Sequence, residues 1–477
     1  MTAVTRTRAE TGDRPDDDSS DRTRQLQRWD REHVWHPFTP MLEYERETTP
    51  VIVAGDQFEL IDSDGRRYLD GVSSLWCNIH GHRVPEIDAA LHAQIDRISH
   101  STLLGLANES SAELAHELVQ AAPPGLNRVF FSDDGSTAVE AALKLVFQYH
   151  RQKPDPEPQR DLFVGLSGAY HGDTLGAVSV GSIGLFHQAY ERLLFRSLAV
   201  TPPLDPVAMQ SWPGIGSEQA ERALAQLEQT LRQQADRIAG FVIEPLVQMA
   251  GGILIHQPGF LRRVRELTRE LSIPLIADEV AVAFGRTGTL WACEQEAVQP
   301  DLLCLSKGLT GGYLPLAATL VTEPIYAAFL DEPARGKTFY HGHTFTGNPL
   351  GCVAALASLR RFETHRTLEN VRLISSRLSE RLAAYIDHPQ VRSLRQKGLL
   401  AGIELCPDRS LPDGFAPDRR IGHRVVLAAR RRGVFLRPLG DLVELIPAPA
   451  MPVALVDRLC DVVFESIDEV LAAESGR

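Results

Sequence analysis

Short apolar runs alternate with amphipathic helical patterns along residues 86–360, and this alternation restricts the fold more than any other feature of the chain. The runs are Arg128-Val129-Phe130-Phe131, residues 162–166, Phe241-Val242-Ile243, residues 274–277 and Leu302-Leu303-Cys304-Leu305. A strand without polar alternation needs cover on both faces, as in a parallel sheet between two helix layers. The helical patterns fall between the runs. Ile87, Leu91, Ile95 and Ile98 recur over residues 85–100, Val139, Leu143 and Val146 over 137–149, and Leu224, Leu227 and Leu231 over 218–237, with a further helix over 260–271. The pattern predicts an α/β fold with a mostly parallel central sheet.

The flanks have another texture. Residues 1–27 are polar and poor in large apolar side chains, which predicts a disordered tail. Residues 51–60 and 68–75 read as strands about the turn Asp62-Ser63-Asp64-Gly65. Beyond residue 360, arginine-rich helices over 360–386 and 418–432 flank short strands at 399–405 and 443–445, and a last helix spans 452–473. The expected organisation is a tail (1–27), an N-terminal part of a small domain (28–85), a large domain (86–360) and a C-terminal small domain (361–477). Residues 154–158 and 201–216 read as surface loops.

Composition removes several function classes. No window approaches 18 consecutive apolar residues, so a membrane-spanning helix is not expected. A net charge of −13 argues against a nucleic-acid-binding surface. The six cysteines have no CxxC spacing, and the first thirty residues lack an apolar signal core. Reduced thiols, no metal site and a cytoplasmic location are the expectation. Of 49 basic residues only five are lysines, so chemistry that needs an amine has few candidates.

Open α/β sheets bind ligands beyond the carboxyl ends of their strands. Polar residues at such ends are Glu244, Asp278, Glu279 and Lys307. Lys307 follows an apolar strand and precedes Gly308-Leu309-Thr310-Gly311-Gly312, which admits a bulky ligand close to the backbone. An amine in apolar surroundings has a lowered pKa and forms Schiff bases, as the lysine of pyridoxal phosphate (PLP) enzymes does. Asp278 suits the acidic partner of the pyridinium nitrogen. Ser132-Asp133-Asp134-Gly135-Ser136-Thr137 precedes a helix and offers a phosphate its N-terminus, with Thr137-Ala138-Val139-Glu140 matching a capping box. Tyr170, between Gly168 and Gly172, is placed to stack on the ring.

Asp278-Glu279-Val280, Phe284-Gly285-Arg286-Thr287-Gly288 and Ser306-Lys307-Gly308-Leu309-Thr310-Gly311-Gly312 resemble the signature of class III aminotransferases, a fold type I PLP family. Trp35-His36-Pro37-Phe38, Trp76 with Ile79-His80-Gly81-His82, Tyr340-His341-Gly342-His343-Thr344-Phe345 and Val434-Phe435-Leu436-Arg437-Pro438-Leu439 are similar to the branch that aminates 8-amino-7-oxononanoate in biotin synthesis. The resemblance implies that Lys307 holds PLP and shuttles a proton. Gly135 and Ser136 would bind its phosphate, and Asp278 its ring nitrogen. His343 and Thr344 would reach the phosphate of a neighbouring subunit, which implies a homodimer with shared sites. Gly342 would line the substrate pocket beside Tyr170, Trp76 would pack on the aliphatic chain, and Arg437 would hold the carboxylate. Several positions depart from members that use S-adenosylmethionine as donor: the segment Ser99-His100-Ser101-Thr102-Leu103-Leu104-Gly105 differs, His343 stands where they have proline, and Val282-Ala283 replaces the commoner Thr-Gly pair. Phe38 stands where they have tyrosine, and Leu75 where they have a second tryptophan, as in the branch that uses L-lysine. The donor stays open between the two. A class III ω-aminotransferase acting on ornithine, 4-aminobutyrate or a diamine is the alternative, against which the Trp-His-Pro-Phe and His-Gly-His-Thr-Phe segments argue.

Overall fold

The computed structural model describes residues 20–205, 207–209, 216–411 and 413–475. Seven strands form the central sheet, in the spatial order Leu126–Ser132, Ala317–Thr322, Leu302–Leu305, Leu275–Asp278, Ile238–Ile243, Leu162–Leu166, Ser197–Val200. The last five are mutually parallel, while Ala317–Thr322 runs antiparallel to both neighbours. The sheet is thus mixed and mostly parallel.

Its strands feed two cores with period two. Phe241, Ile243, Leu303 and Leu305 face a layer that includes Val264 and Leu267 of helix Phe260–Glu270. Val242, Ile276, Leu302 and Cys304 face Val139, Leu143 and Val146 of helix Gly135–Gln152. Every residue of the four strands Leu162–Leu166, Ile238–Ile243, Leu275–Asp278 and Leu302–Leu305 is therefore buried, which is why these runs carry no polar alternation, whereas the edge strands Leu126–Ser132 and Ser197–Val200 keep exposed residues. A third core joins the flanks. Phe58, Leu69 and Val72 pack with Val371, Ile374, Val443 and Val463, and strand Val434–Phe435 pairs in parallel with Arg67–Asp70.

Several boundaries differ from the sequence reading, each for a local reason. Residues 51–60 are two strands, Ile52–Asp56 and Glu59–Asp62, because the chain reverses at Gln57, whose φ is 51°. The strand expected over 68–75 ends at Asp70. Helix 360–386 is two helices, Pro349–Thr364 and Thr367–Ala383, separated at Arg366 with φ 51°. The first begins early because the Asn348 side chain accepts from Gly351 N–H and Pro349 supplies a preset φ. The expected tail is helical from Asp21 to His33, with Ser20 as its N-cap. Residues 1–19 of that tail and part of the loop 201–216 lie outside the described residues. Among the described residues no helix is long and apolar enough to cross a membrane.

Candidate active site

Three parallel strands end at one cavity of about 440 Å³, lined among others by Trp76, Gly135, Ser136, Tyr170, Glu244, Asp278 and Lys307, all singled out in the sequence. Lys307 lies in the left-handed region, φ 45°, at the head of the cavity-lining segment that follows strand Leu302–Leu305. Gly308 is required behind it, since a Cβ there would lie 2.9 Å from the Phe284 ring. The Lys307 Nζ stands 4.9 Å above the Trp76 ring. Burial lowers the amine's pKa, and the charges of Asp278 and Glu244 oppose that shift without cancelling it.

Asp278 accepts a 2.7 Å hydrogen bond from His171 Nδ1. Burial works against a charge on that imidazole, but the hydrogen bond and the charges of Asp278 and Glu244 hold its pKa above the ordinary value. The pair is therefore a buried imidazolium–carboxylate, one carboxylate edge of which faces the cavity. His171 lies inside the Gly168–Asp173 motif, yet nothing in its local spacing gives it this role. Glu244 accepts from the backbone N–H of Tyr170 (3.2 Å) and Met249 (3.0 Å), and burial pushes its carboxyl up to about 7. It fixes the loop that carries Tyr170. Glu279 does not belong to the site. Its oxygens accept from the N–H groups of Ala292 and Cys293, and burial pushes it to about 7.

The helix beside the cavity is capped three residues earlier than the sequence motif suggests. Asp134, not Thr137, is the N-cap. Thr137 N–H donates to the Asp134 side chain, and Asp134 N–H donates to Thr137 Oγ1. Gly135 and Ser136 thus take the first two helical positions, whose amides lie outside the intrahelical pattern and point along the positive end of the dipole. Gly135 has no room for a side chain, since a Cβ would come within 2.5 Å of Val280 Cγ1. The Ser136 Oγ accepts from Asp173 N–H at 3.1 Å, and the Tyr170 hydroxyl donates to Asp173 at 2.7 Å. The result is a small, backbone-lined anion cradle tied to the aromatic ring. A lysine of lowered pKa, a buried acid fixed by an imidazolium, this cradle and a flanking aromatic fit PLP group by group.

Trp76 reaches the cavity from an unusual turn. Ser73, Ser74, Leu75 and Trp76 all have positive φ, 49°, 41°, 62° and 71°. Such residues cost about 1 kcal/mol each in this region. The Ser73 hydroxyl donates to Ile446 C=O, and Ser74 donates through N–H and hydroxyl to Asp70. Leu75 is partly exposed at the turn's tip.

The remaining residues lie outside the lining. Arg437 sits 5.9 Å over the Phe38 ring, Phe38 meets Phe186 edge-on at 5.3 Å, and Phe186 meets Tyr170 at 6.3 Å. This aromatic row leads outward from the cavity. Phe38 is 50% exposed at its outer end. Gly342 and Thr344 are exposed, and His343 Nδ1 lies 3.1 Å from Asp133, which lines the cavity mouth. Sequence reasoning missed Glu444, a fully buried carboxyl in strand Leu442–Leu445.

A buried Schiff-base lysine at the strand ends of such a sheet defines a fold type I PLP enzyme. The chain belongs to the class III aminotransferases, whose family model matches residues 43–471. Its similarity runs to one branch of that family. It is 51% identical to the adenosylmethionine-8-amino-7-oxononanoate aminotransferase of Nitratidesulfovibrio vulgaris over 430 residues, covering 90% of this chain and 79% of that one. The crystal structure of the adenosylmethionine-8-amino-7-oxononanoate aminotransferase from Methanocaldococcus jannaschii superposes with a TM-score of 0.88 at 38% identity, covering 94% of this chain and 99% of that one. A PMP-bound aminotransferase from Vibrio fluvialis superposes with a TM-score of 0.86 at 28% identity over 93% and 97% of the two chains.

Proposed function

We infer that this chain aminates 8-amino-7-oxononanoate to 7,8-diaminononanoate, a step of biotin synthesis, with PLP as its cofactor. The observation that carries the chemistry is the convergence of Lys307, Asp278 and the Gly135–Ser136 helix end on one cavity. Likeness to the aminotransferases above carries the choice of acceptor. PLP supplies a carbonyl that carries the amino group and a ring that stabilises the carbanion left by proton removal. Lys307 Nζ, its proton affinity reduced by burial, takes and returns the proton at the substrate carbon. Asp278, its orientation fixed by His171, holds the proton on the ring nitrogen. Gly135 and Ser136 donate to the phosphate, Tyr170 covers the ring, and Trp76 excludes water from the chain of the substrate. Arg437, at the far end of the aromatic row, takes the carboxylate.

The exposed loop with Gly342, His343 and Thr344 also presents Tyr340 and Phe345 to solvent. This supports a homodimer in which Thr344 and His343 complete the partner's phosphate site and Gly342 its substrate pocket. Five of the six free cysteines are buried, which suits a cytoplasmic enzyme.

The donor is S-adenosylmethionine or L-lysine. The names of the relatives point to the first, and Phe38 and Leu75 to the second. The test follows the absorbance of the loaded cofactor with each donor alone, then adds 8-amino-7-oxononanoate. Bleaching by one donor and recovery on adding the acceptor is expected. No bleaching by either, or no recovery, would overturn the reading in favour of another ω-aminotransferase.

A further inference from the structure

Glu444 stands in strand Leu442–Leu445, fully buried, with the Trp76 indole N–H as its neighbouring donor and no hydrogen bond of ordinary geometry to either carboxylate oxygen. A buried carboxyl without a partner is expensive and calls for a compensating charge. Strand Leu442–Leu445 pairs antiparallel with Pro438–Leu439 in the register Pro438↔Val443 and Leu439↔Leu442. One step further along that register, Arg437 stands opposite Glu444. Opposed residues of antiparallel strands share a face with Cβ atoms about 5 Å apart. Among the described residues Arg437 makes no ion pair or hydrogen bond within the usual distance limits, and its guanidinium lies over the Phe38 ring. Three groups face the Glu444 carboxyl from elements packed against it: the Arg437 guanidinium, the Trp76 indole N–H and the Lys307 ammonium. The indole nitrogen is buried and makes no hydrogen bond of ordinary geometry elsewhere among the described residues. On the neighbouring strand the same face carries Glu404, but that carboxylate is paired with Arg395.

We propose that Glu444 is the internal counter-charge of Arg437 in alkaline solution: there it is ionised while the guanidinium has no ligand, and it takes a proton from solvent onto a carboxylate oxygen when the carboxylate of a substrate reaches Arg437. The proposal rests on the reading of Arg437 as the carboxylate anchor. Two carboxylates against one guanidinium would leave a net negative charge in a low-dielectric site, and protonating the one already buried removes it. Burial outweighs the attraction of Arg437, the indole N–H and Lys307 and leaves the free carboxyl at about 8. Near neutral pH the proton is therefore mostly in place before the ligand arrives, and at pH 9 it has to be taken up. Glu444 acts through Arg437 and is a positioning residue rather than a reacting one.

The test uses the PLP-loaded protein and nonanoate, a carboxylate of the acceptor's chain length with no group to react. Calorimetry in two buffers of different ionisation enthalpy, at pH 7 and pH 9, gives the affinity and the proton count. In the wild type, nonanoate should bind about tenfold more weakly at pH 9 than at pH 7, taking up close to one proton at pH 9. Glu444→Gln should abolish both the pH dependence and the uptake. Wild-type binding without proton uptake overturns the proposal, whatever the variant's stability. Uptake that survives in Glu444→Gln overturns it too. Arg437→Ala separates the two readings: if it binds nonanoate like the wild type, the anchor reading itself fails.

Discussion

Gly135 allows the link between core packing and cofactor binding to be measured. A Cβ added there would lie 2.5 Å from Val280 Cγ1 and 3.1 Å from Val280 Cγ2. Ordinary carbon contacts lie at about 3.5–4.0 Å, so the nearer pair must separate by roughly 1 Å. Overpacking of that kind costs about 1–3 kcal/mol. Replacing glycine by alanine in a helix contributes about 0.5–1 kcal/mol the other way. The clash therefore wins, and Gly135→Ala should destabilise the protein by about 1–2 kcal/mol. Val280 follows Asp278 and Glu279 at the strand end, so relief moves either the helix terminus or the carboxylate. Both hold the cofactor, and PLP affinity should fall by about tenfold or more, since 1.4 kcal/mol is a factor of ten. Val280→Ala removes both clashing carbons. In that background Gly135→Ala should become neutral or stabilising, a coupling energy of about 1–3 kcal/mol. Urea unfolding of the four proteins gives the stability cycle, and fluorescence titration with PLP gives the affinities. A neutral Gly135→Ala variant, or one that Val280→Ala does not rescue, refutes the reasoning.

The remaining predictions concern charge. His171→Asn removes the imidazolium that fixes Asp278. PLP should dissociate about ten- to a hundredfold faster, and the ring-nitrogen protonation seen by cofactor absorbance should move to lower pH; unchanged spectra across pH would count against the pair. Glu279, raised to about 7 in the fold against an unfolded value near 4.5, is favoured in its protonated form by folding. Its contribution is full below the unfolded value and is lost as pH rises to about 7. Wild-type stability should therefore fall over that window with up to about 1.4 kcal/mol per pH unit more slope than Glu279→Gln shows in urea titrations, and parallel slopes would refute it. Asp134→Ala should cost about 1 kcal/mol of stability through the lost cap, read as a lower urea midpoint.

The parallel centre of the sheet was legible because its strands are apolar on both faces, a pattern that few folds can bury; Ser197–Val200 at one edge and the antiparallel Ala317–Thr322 were not read. Glu244, Asp278 and Lys307 were legible for the same reason: a polar residue directly after such a strand marks the ligand edge. Local backbone reversals were not. Gln57 and Arg366 turn the chain with positive φ though neither is glycine, and no composition signal marks them. The capping motif at Thr137-Glu140 falls three residues late, because Asp134 accepts the Thr137 N–H and Thr137 serves as the third helical residue of the box rather than as its cap. Glu444 was invisible for a different reason. Leu-Val-Glu-Leu alternates as a half-exposed strand does, and only the packing of Trp76 and the flanking strands turns its polar face inward. His171 needed a partner 107 positions away.

The left-handed turn from Ser73 to Trp76 limits how this pocket can change its preferences. Side chains branched at Cβ fit poorly at positive φ, whereas asparagine, glycine and unbranched residues are admitted. Leu75 can therefore be exchanged for an aromatic or a polar unbranched residue without disturbing Trp76 beside it. Valine, isoleucine or threonine at the same position would unwind the turn and carry Trp76 away from Lys307. A selection for new donors at position 75 should thus return residues of widely different chemistry and leave out the three that branch at Cβ.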